Sequence, residues 1–178
     1  MDWQEVIFKG FLGGGAAVGF GILFNVPRRT VFYIFVFGLL ATFIKNLMLA
    51  FQLDIVLASF TGAVLVGVVS LFAGKVQNTP PLIYAIPAVI PMVPGVFTYK
   101  MMMGIIHLYF ENGSDFTIAL EQTLNNALKA TFIMMALSVG VSFPNLILRK
   151  ESFHEMPVLS RENLNVLDKL MHKKKDKK

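Results

Sequence analysis

Apolar residues along this chain neither alternate nor recur at every third and fourth position. They run almost unbroken for about twenty residues at a time, the length a helix rising ~1.5 Å per residue needs to cross ~30 Å of hydrocarbon. Five such runs are found: Val6 to Phe24, Thr30 to Phe51, Ile55 to Ala73, Leu82 to Phe110 and Leu124 to Leu148. The pattern predicts an all-α integral membrane protein, with a five-helix transmembrane domain over residues 1–150. A basic cytosolic tail follows over 151–178, in which Ser160 caps a short amphipathic helix carrying Leu164, Leu167, Leu170 and Met171.

The fourth run differs from the rest. It reads PPLIYAIPAVIPMVPGVFTYK, with Pro80, Pro81, Pro87, Pro91 and Pro94 in a segment apolar enough to lie in a bilayer. Each interior proline removes one N–H donor, so Pro87, Pro91 and Pro94 leave the carbonyls of Ile83, Pro87 and Ile90 without helical partners. Gly95 then lets the chain turn. The run is too long for one straight crossing and is centred near Val96, so the break is expected close to the midplane. Freed carbonyls in hydrocarbon cost several kcal/mol each, and the break must therefore sit in protein or against a water-filled cavity. A packed proline kink is one reading; a solute site between two half-helices, as in many transporters, is the other.

Composition sharpens this picture. Hydrophobic residues make up 55% of the 178 and charged ones only 15%, with a mean hydropathy of +0.64, which excludes an ordinary soluble domain. With no cysteine, a disulfide framework and thiolate-bound metal are excluded too. The net charge is +5, and the lysines concentrate in the tail beside a span, which favours anionic headgroups over nucleic acid as the basic partner. Arg28 and Arg29, then Lys75, then Arg149 and Lys150 follow the first, third and fifth runs, whereas Asp54, Glu111 and Asp115 follow the second and fourth. This bias predicts a multi-pass cell-membrane protein with its N-terminus outside and its C-terminus in the cytoplasm.

Small residues suggest how the spans meet. Gly10 and Gly14, then Gly15 and Gly19, are spaced for close helix approach in the first run, and Ser59, Ala63, Gly67, Ser70 and Gly74 form a stripe in the third. Five short spans are hard put to hide a broken helix from lipid, so a homo-oligomer or a second membrane subunit is expected.

Three lysines fall inside spans, Lys45, Lys100 and Lys129, all in the outer half under the predicted orientation. Intramembrane cations normally face a bundle interior or water, and this set would attract a carboxylate together with the positive end of a half-helix starting near Val96. Snorkelling to the headgroups is the competing account and suits Lys129 best. Polar neighbours accompany them: Asn46, Thr98, Tyr99, Gln122, Asn125 and Asn126. Candidate substrate-binding residues are thus Lys45, Asn46, Pro91, Pro94, Gly95, Tyr99, Lys100 and Asn126, with Asn25, Pro27 and Arg28 as a candidate cytoplasmic gate. His107, His154 and His172 are isolated, no phosphate-cradling or nucleophile motif is found, and neither an enzyme, a metal site nor a cofactor is expected.

The FNVPRR turn at Phe24 to Arg29, a lone basic residue late in the second span (Lys45) and PAVIPMVPGVFTY at Pro87 to Tyr99 together resemble the threonine/serine exporter family, over about residues 10 to 148. The likeness is to its small five-span half, which carries an FN-x-P turn and an IP-x-x-PG-x-x-x-Y signature, here Ile90, Pro91, Pro94, Gly95 and Tyr99. The resemblance implies a secondary exporter of small carboxylate metabolites, either an amino acid such as threonine or serine or a dicarboxylate such as succinate. It also implies a larger complementary membrane subunit as partner. Lys45 departs from the arginine the resemblance would suggest, and a lysine offers a point charge rather than a bidentate fork. A non-transporting scaffold that stabilises or targets a partner is the alternative function.

Overall fold

The computed structural model describes residues 3–110 and 116–148. Six helices account for most of them: α1 (Trp3–Leu23), α2 (Val31–Ala50), α3 (Ile55–Gln77), α4 (Leu82–Val89), α5 (Gly95–Phe110) and α6 (Phe116–Leu148). Helices α1, α2, α3 and α6 are each long and apolar enough to cross a membrane. Helices α4 and α5, joined through a 3₁₀ turn at Ile90–Met92 and bent by 52°, make a fifth crossing in two pieces. The protein is an all-α membrane protein. The tail helix expected after Ser160 lies outside the described residues.

Local chemistry sets the helix ends. Asn25 takes a left-handed conformation at φ 54°, the Asn25 N–H donates to Ile22 O, and the Val26 N–H reaches back to Gly21 O at 3.1 Å. That pair of bonds closes α1 as a Schellman stop, and asparagine tolerates the left-handed region better than most residues. The Asp54 carboxylate caps α3 by accepting the Val56 N–H at 2.7 Å, and Asn78 ends α3 at φ 49°. Helix α6 begins at Phe116, about two turns before its apolar run. The run marks where a helix enters oil, and the preceding polar turns stay helical through side chains that bond their own carbonyls, as Thr123 Oγ1 does to Ala119 O and Asn126 Nδ2 to Gln122 O.

Glycine decides which faces meet. A methyl added at Gly14 would stand 2.9 Å from the Phe35 carbonyl, and one at Gly38 would overlap the Ala17 methyl, so α1 and α2 touch backbone to backbone. Gly15 and Gly19 are different. Nothing lies within 4 Å of a methyl added at either, so the second glycine pair of α1 packs against no other helix among the described residues. The α3 stripe from Ser59 to Gly74 is buried throughout. Gly67 lies against the carbonyl of Val141, and Gly140 against Phe60 and Ala63, which sets α3 and α6 side by side in parallel. Gly62 faces the Ala41 carbonyl on α2 and the end of the Met92 side chain. Through these contacts the broken span buries one face of its α4 half: Tyr84, Pro87 and Met92 are fully buried, and the Tyr84 ring packs edge-on against Tyr33 at 6.0 Å, while Leu82 and Ile86 stay exposed.

Candidate functional site: a broken span and its lysines

Pro87 does not break the helix; α4 continues past it to Val89. The interruption comes where Pro91 and Pro94 fall three residues apart. Ile90 O, denied a helical donor by Pro94, accepts the Val93 N–H at 3.0 Å. Val93 is extended (φ −56°, ψ 135°), the Gly95 N–H turns back onto Val93 O at 2.8 Å, and α5 starts. Pro94 O then accepts from both the N–H and the hydroxyl of Thr98. The break therefore falls at Pro91, Pro94 and Gly95, as the sequence predicts.

One carbonyl of the break is satisfied from another helix. Lys45 Nζ on α2 donates to Met92 O at 3.0 Å, across 47 residues of sequence. The acceptor ends the first half-helix, the negative end of its dipole, so a cation is the fitting cap. Met92 is held from its other side as well, since its fully buried side chain reaches Gly62 on α3. Asn46, the neighbour of Lys45, spends its amide on Thr42 O one turn back on its own helix.

The other predicted residues gather in a second place. Tyr99, Lys100 and Asn126 line a groove of about 670 Å³ between α5 and α6, with Gln122, Thr123 and Asn125 on its far wall. The groove exists because Gly104 lets α5 approach α6 at Thr123. None of the residues of α5 is buried. Lys129 leaves the groove and lies 5.9 Å from the Phe97 ring centroid, a long cation–π contact beside the first turn of α5. The eight predicted binding residues thus divide: Lys45, Pro91, Pro94 and Gly95 at the break, Tyr99, Lys100 and Asn126 in the groove, and Asn46 turned onto its own helix.

Asn25, Pro27 and Arg28 form the stop between α1 and α2, with Asn25 accounted for by its backbone conformation and Arg28 exposed. Beside this turn is an apolar cleft of about 280 Å³ whose lining includes Phe24 and Val26 on one side and Ile83 and Pro87 on the other.

Sequence reasoning missed three participants. The Met92 carbonyl is a backbone atom, but spacing pointed to it: its helical donor would be Val96, on the far side of the Pro94 turn. The hydroxyls of Ser59 and Tyr84 are fully buried with no hydrogen-bond partner among the described residues, a condition that costs about 1–3 kcal/mol each. Ser59 stands one turn before Gly62 on α3, as Lys45 stands one turn past Ala41 on the antiparallel α2. Since Gly62 meets Ala41, the orphan hydroxyl lies at the level of the lysine. No sequence signal marked either hydroxyl as unpaired.

Comparison with known proteins bears on this geometry. A family profile described as Threonine/Serine exporter, ThrE, matches residues 11–147. A protein of Haemophilus influenzae, described only as uncharacterized, is 28% identical over 135 residues. That alignment takes in 76% of this chain and 45% of the relative, so the chain spans less than half the relative's length. No solved structure matches the chain.

Proposed function

The chain belongs to the threonine/serine exporter family, and from that premise we propose that it is the membrane subunit of a two-component secondary exporter of small carboxylate metabolites. In this reading the solute is a threonine- or serine-type amino acid or a small dicarboxylate such as succinate. A larger complementary membrane subunit completes the pathway, and the export step is alternating access about the broken span. The N-terminus is outside and the C-terminus cytoplasmic, so that Lys45 and Lys100 act in the outer half.

The observation that carries this reading is the Lys45 ammonium on Met92 O. A cation held at a helix break inside a membrane-spanning bundle is costly unless it has a use, and such residues mark solute paths. The α5–α6 groove supports the reading, because its volume suits a small metabolite and Lys100 and the amides on its walls match a carboxylate and an ammonium or hydroxyl. The unburied α5 supports the partner, since Lys100 cannot rest against lipid tails without cost. The cleft between Val26 and Pro87 supports an inner gate at the Asn25–Arg28 turn, one that shifts with α4.

Export assays test this. Cells carrying Lys45→Met or Lys100→Met are expected to lose efflux of labelled threonine or succinate while the protein stays in the membrane at normal level. Unchanged efflux in both removes the lysines from the mechanism. Reconstitution in liposomes tests the second component: equal flux with and without the complementary subunit refutes the two-component arrangement.

A further inference from the structure

We infer that Lys45 is a positioning residue that works as an exchangeable cap: while its ammonium occupies the Met92 carbonyl the fourth span stays bent, and a solute carboxylate that draws it away passes that carbonyl to the Val96 N–H and straightens the span. This rests on the transport reading above and gives it a coupling step.

The carbonyls of the break differ in whether they have a choice of donor. Those of Ile83, Pro87 and Ile90 face prolines four residues on, so no conformation supplies them a helical donor. Met92, by contrast, has an ordinary residue, Val96, in that place. The Val96 N–H lies in the first turn of α5 and has no acceptor among the described residues. Met92 O therefore has two alternative donors, one on α2 and one in its own strand of chain. Only the first is engaged here.

Little has to move to exchange them. Val93 already has a helical φ of −56°, and only its ψ of 135° departs from helical geometry. Proline after a residue disfavours the helical region, which explains why the bent form rests at Val93–Pro94. The bias is one this chain overcomes elsewhere, because Ile90 is helical (φ −54°, ψ −40°) directly before Pro91. What forbids spontaneous straightening is charge. Releasing Met92 O would strand the Lys45 ammonium in an apolar bundle, since among the described residues no salt bridge to it is found. An arriving carboxylate removes that penalty, and solute binding and helix shape become one equilibrium.

The chain has no cysteine, so spin labels can be placed freely. Labels at the exposed positions Leu82 and Tyr109 bracket the break, and removing a 52° bend between the two arms lengthens their separation by about 4 Å. Pulsed electron–electron distances are measured in lipid nanodiscs with the full chain, with and without millimolar succinate or L-threonine. Wild type is expected to give the short distance alone and to gain the long one with at least one solute. Lys45→Met shifts the bent-to-straight ratio roughly tenfold or more towards the long distance without solute. Lys45→Arg, which keeps a cationic donor, stays short. Val96→Pro is the second arm: proline is tolerated in the first turn of a helix, so the bent fold persists, but the alternative donor is gone and neither solute lengthens the distance. A Lys45→Met protein at the wild-type distance overturns the cap, and a Val96→Pro protein that still lengthens with solute overturns the exchange. Efflux separates the two readings. Normal export with an unmoving distance sinks the coupling and leaves the exporter standing. A distance that responds to Lys45→Met but to neither solute, in a chain that exports neither, sinks the exchange and the carboxylate reading together.

Discussion

The contact that places α2, and with it Lys45, is the backbone approach of α1 at Gly38. Replacing Gly38 with alanine would drive the new methyl into that of Ala17 and to 3.2 Å from the Gly13 carbonyl, both fixed to the helix backbone and unable to swing aside. Overpacking of this kind costs about 1–3 kcal/mol, and the rigidity of both neighbours argues for the upper end. Alanine returns about 1 kcal/mol of helix propensity, leaving a net loss of roughly 2 kcal/mol. Gly19→Ala is the control on α1, where a methyl meets nothing within 4 Å. It keeps the propensity gain alone and is expected to be neutral or up to about 1 kcal/mol more stable. The difference of roughly 3 kcal/mol, more than a hundredfold in the folding equilibrium, is measurable by reversible dodecyl sulfate unfolding in mixed micelles followed by circular dichroism. A Gly38→Ala protein as stable as wild type, or a Gly19→Ala protein equally damaged, would show that α1 presents its other glycine face to α2. The export consequence is sharper than the stability one. Lys45 lies about two turns beyond Gly38 on the same helix, so a displacement of α2 by about 1 Å already stretches the 3.0 Å bond to Met92 O out of hydrogen-bond range.

Three further expectations follow from single observations. Asp54→Ala removes the carboxylate that caps α3 at 2.7 Å and should cost about 1 kcal/mol in the same unfolding assay, while Asp54→Asn should stay within a few tenths; equal loss in both would mean that charge, not capping, matters there. Tyr84→Phe deletes a buried hydroxyl that has no partner among the described residues and should leave stability unchanged or raise it by up to about 1 kcal/mol, and a clear loss would mean the hydroxyl is bonded in the membrane. Single cysteines at Arg28 or Lys75 should resist a membrane-impermeant maleimide in intact cells whereas one at Gln52 is labelled; the reverse pattern would invert the proposed orientation and move the lysines to the inner half.

Much of the architecture was legible because a bilayer is a simple solvent. Span length and the place of the break need only hydrophobicity and the valence of proline, and both are written in the chain. The start of α6 was not, since Glu121 and Gln122 look like loop residues to any reading that equates helix with oil. Nor could spacing distinguish the glycine pairs of α1. Gly10 with Gly14 and Gly15 with Gly19 obey the same four-residue rule, and only the position of α2 decides which pair is covered.

The lysines show the same limit at the level of chemistry. Sequence grouped Lys45 and Lys100 because each is a cation in hydrocarbon, and cost alone cannot say what relieves it. In the fold they are relieved differently. Lys45 takes a carbonyl released by the proline turn, so its charge is already employed in holding the broken span. Lys100 opens onto a groove with amide walls and no carboxylate among its described lining residues, so its charge is held by no acidic side chain of that wall. If a carboxylate solute enters, Lys100 is placed to attract it and Lys45 to answer it, because among the described residues only Lys45 of the two has a bond to surrender. A charge held by a backbone acceptor can be traded for a stronger anionic one, and the acceptor left behind has its own donor four residues away. That asymmetry is the physical reason to expect Lys45 to govern conformation while Lys100 governs affinity, although both are lysines in oily sequence.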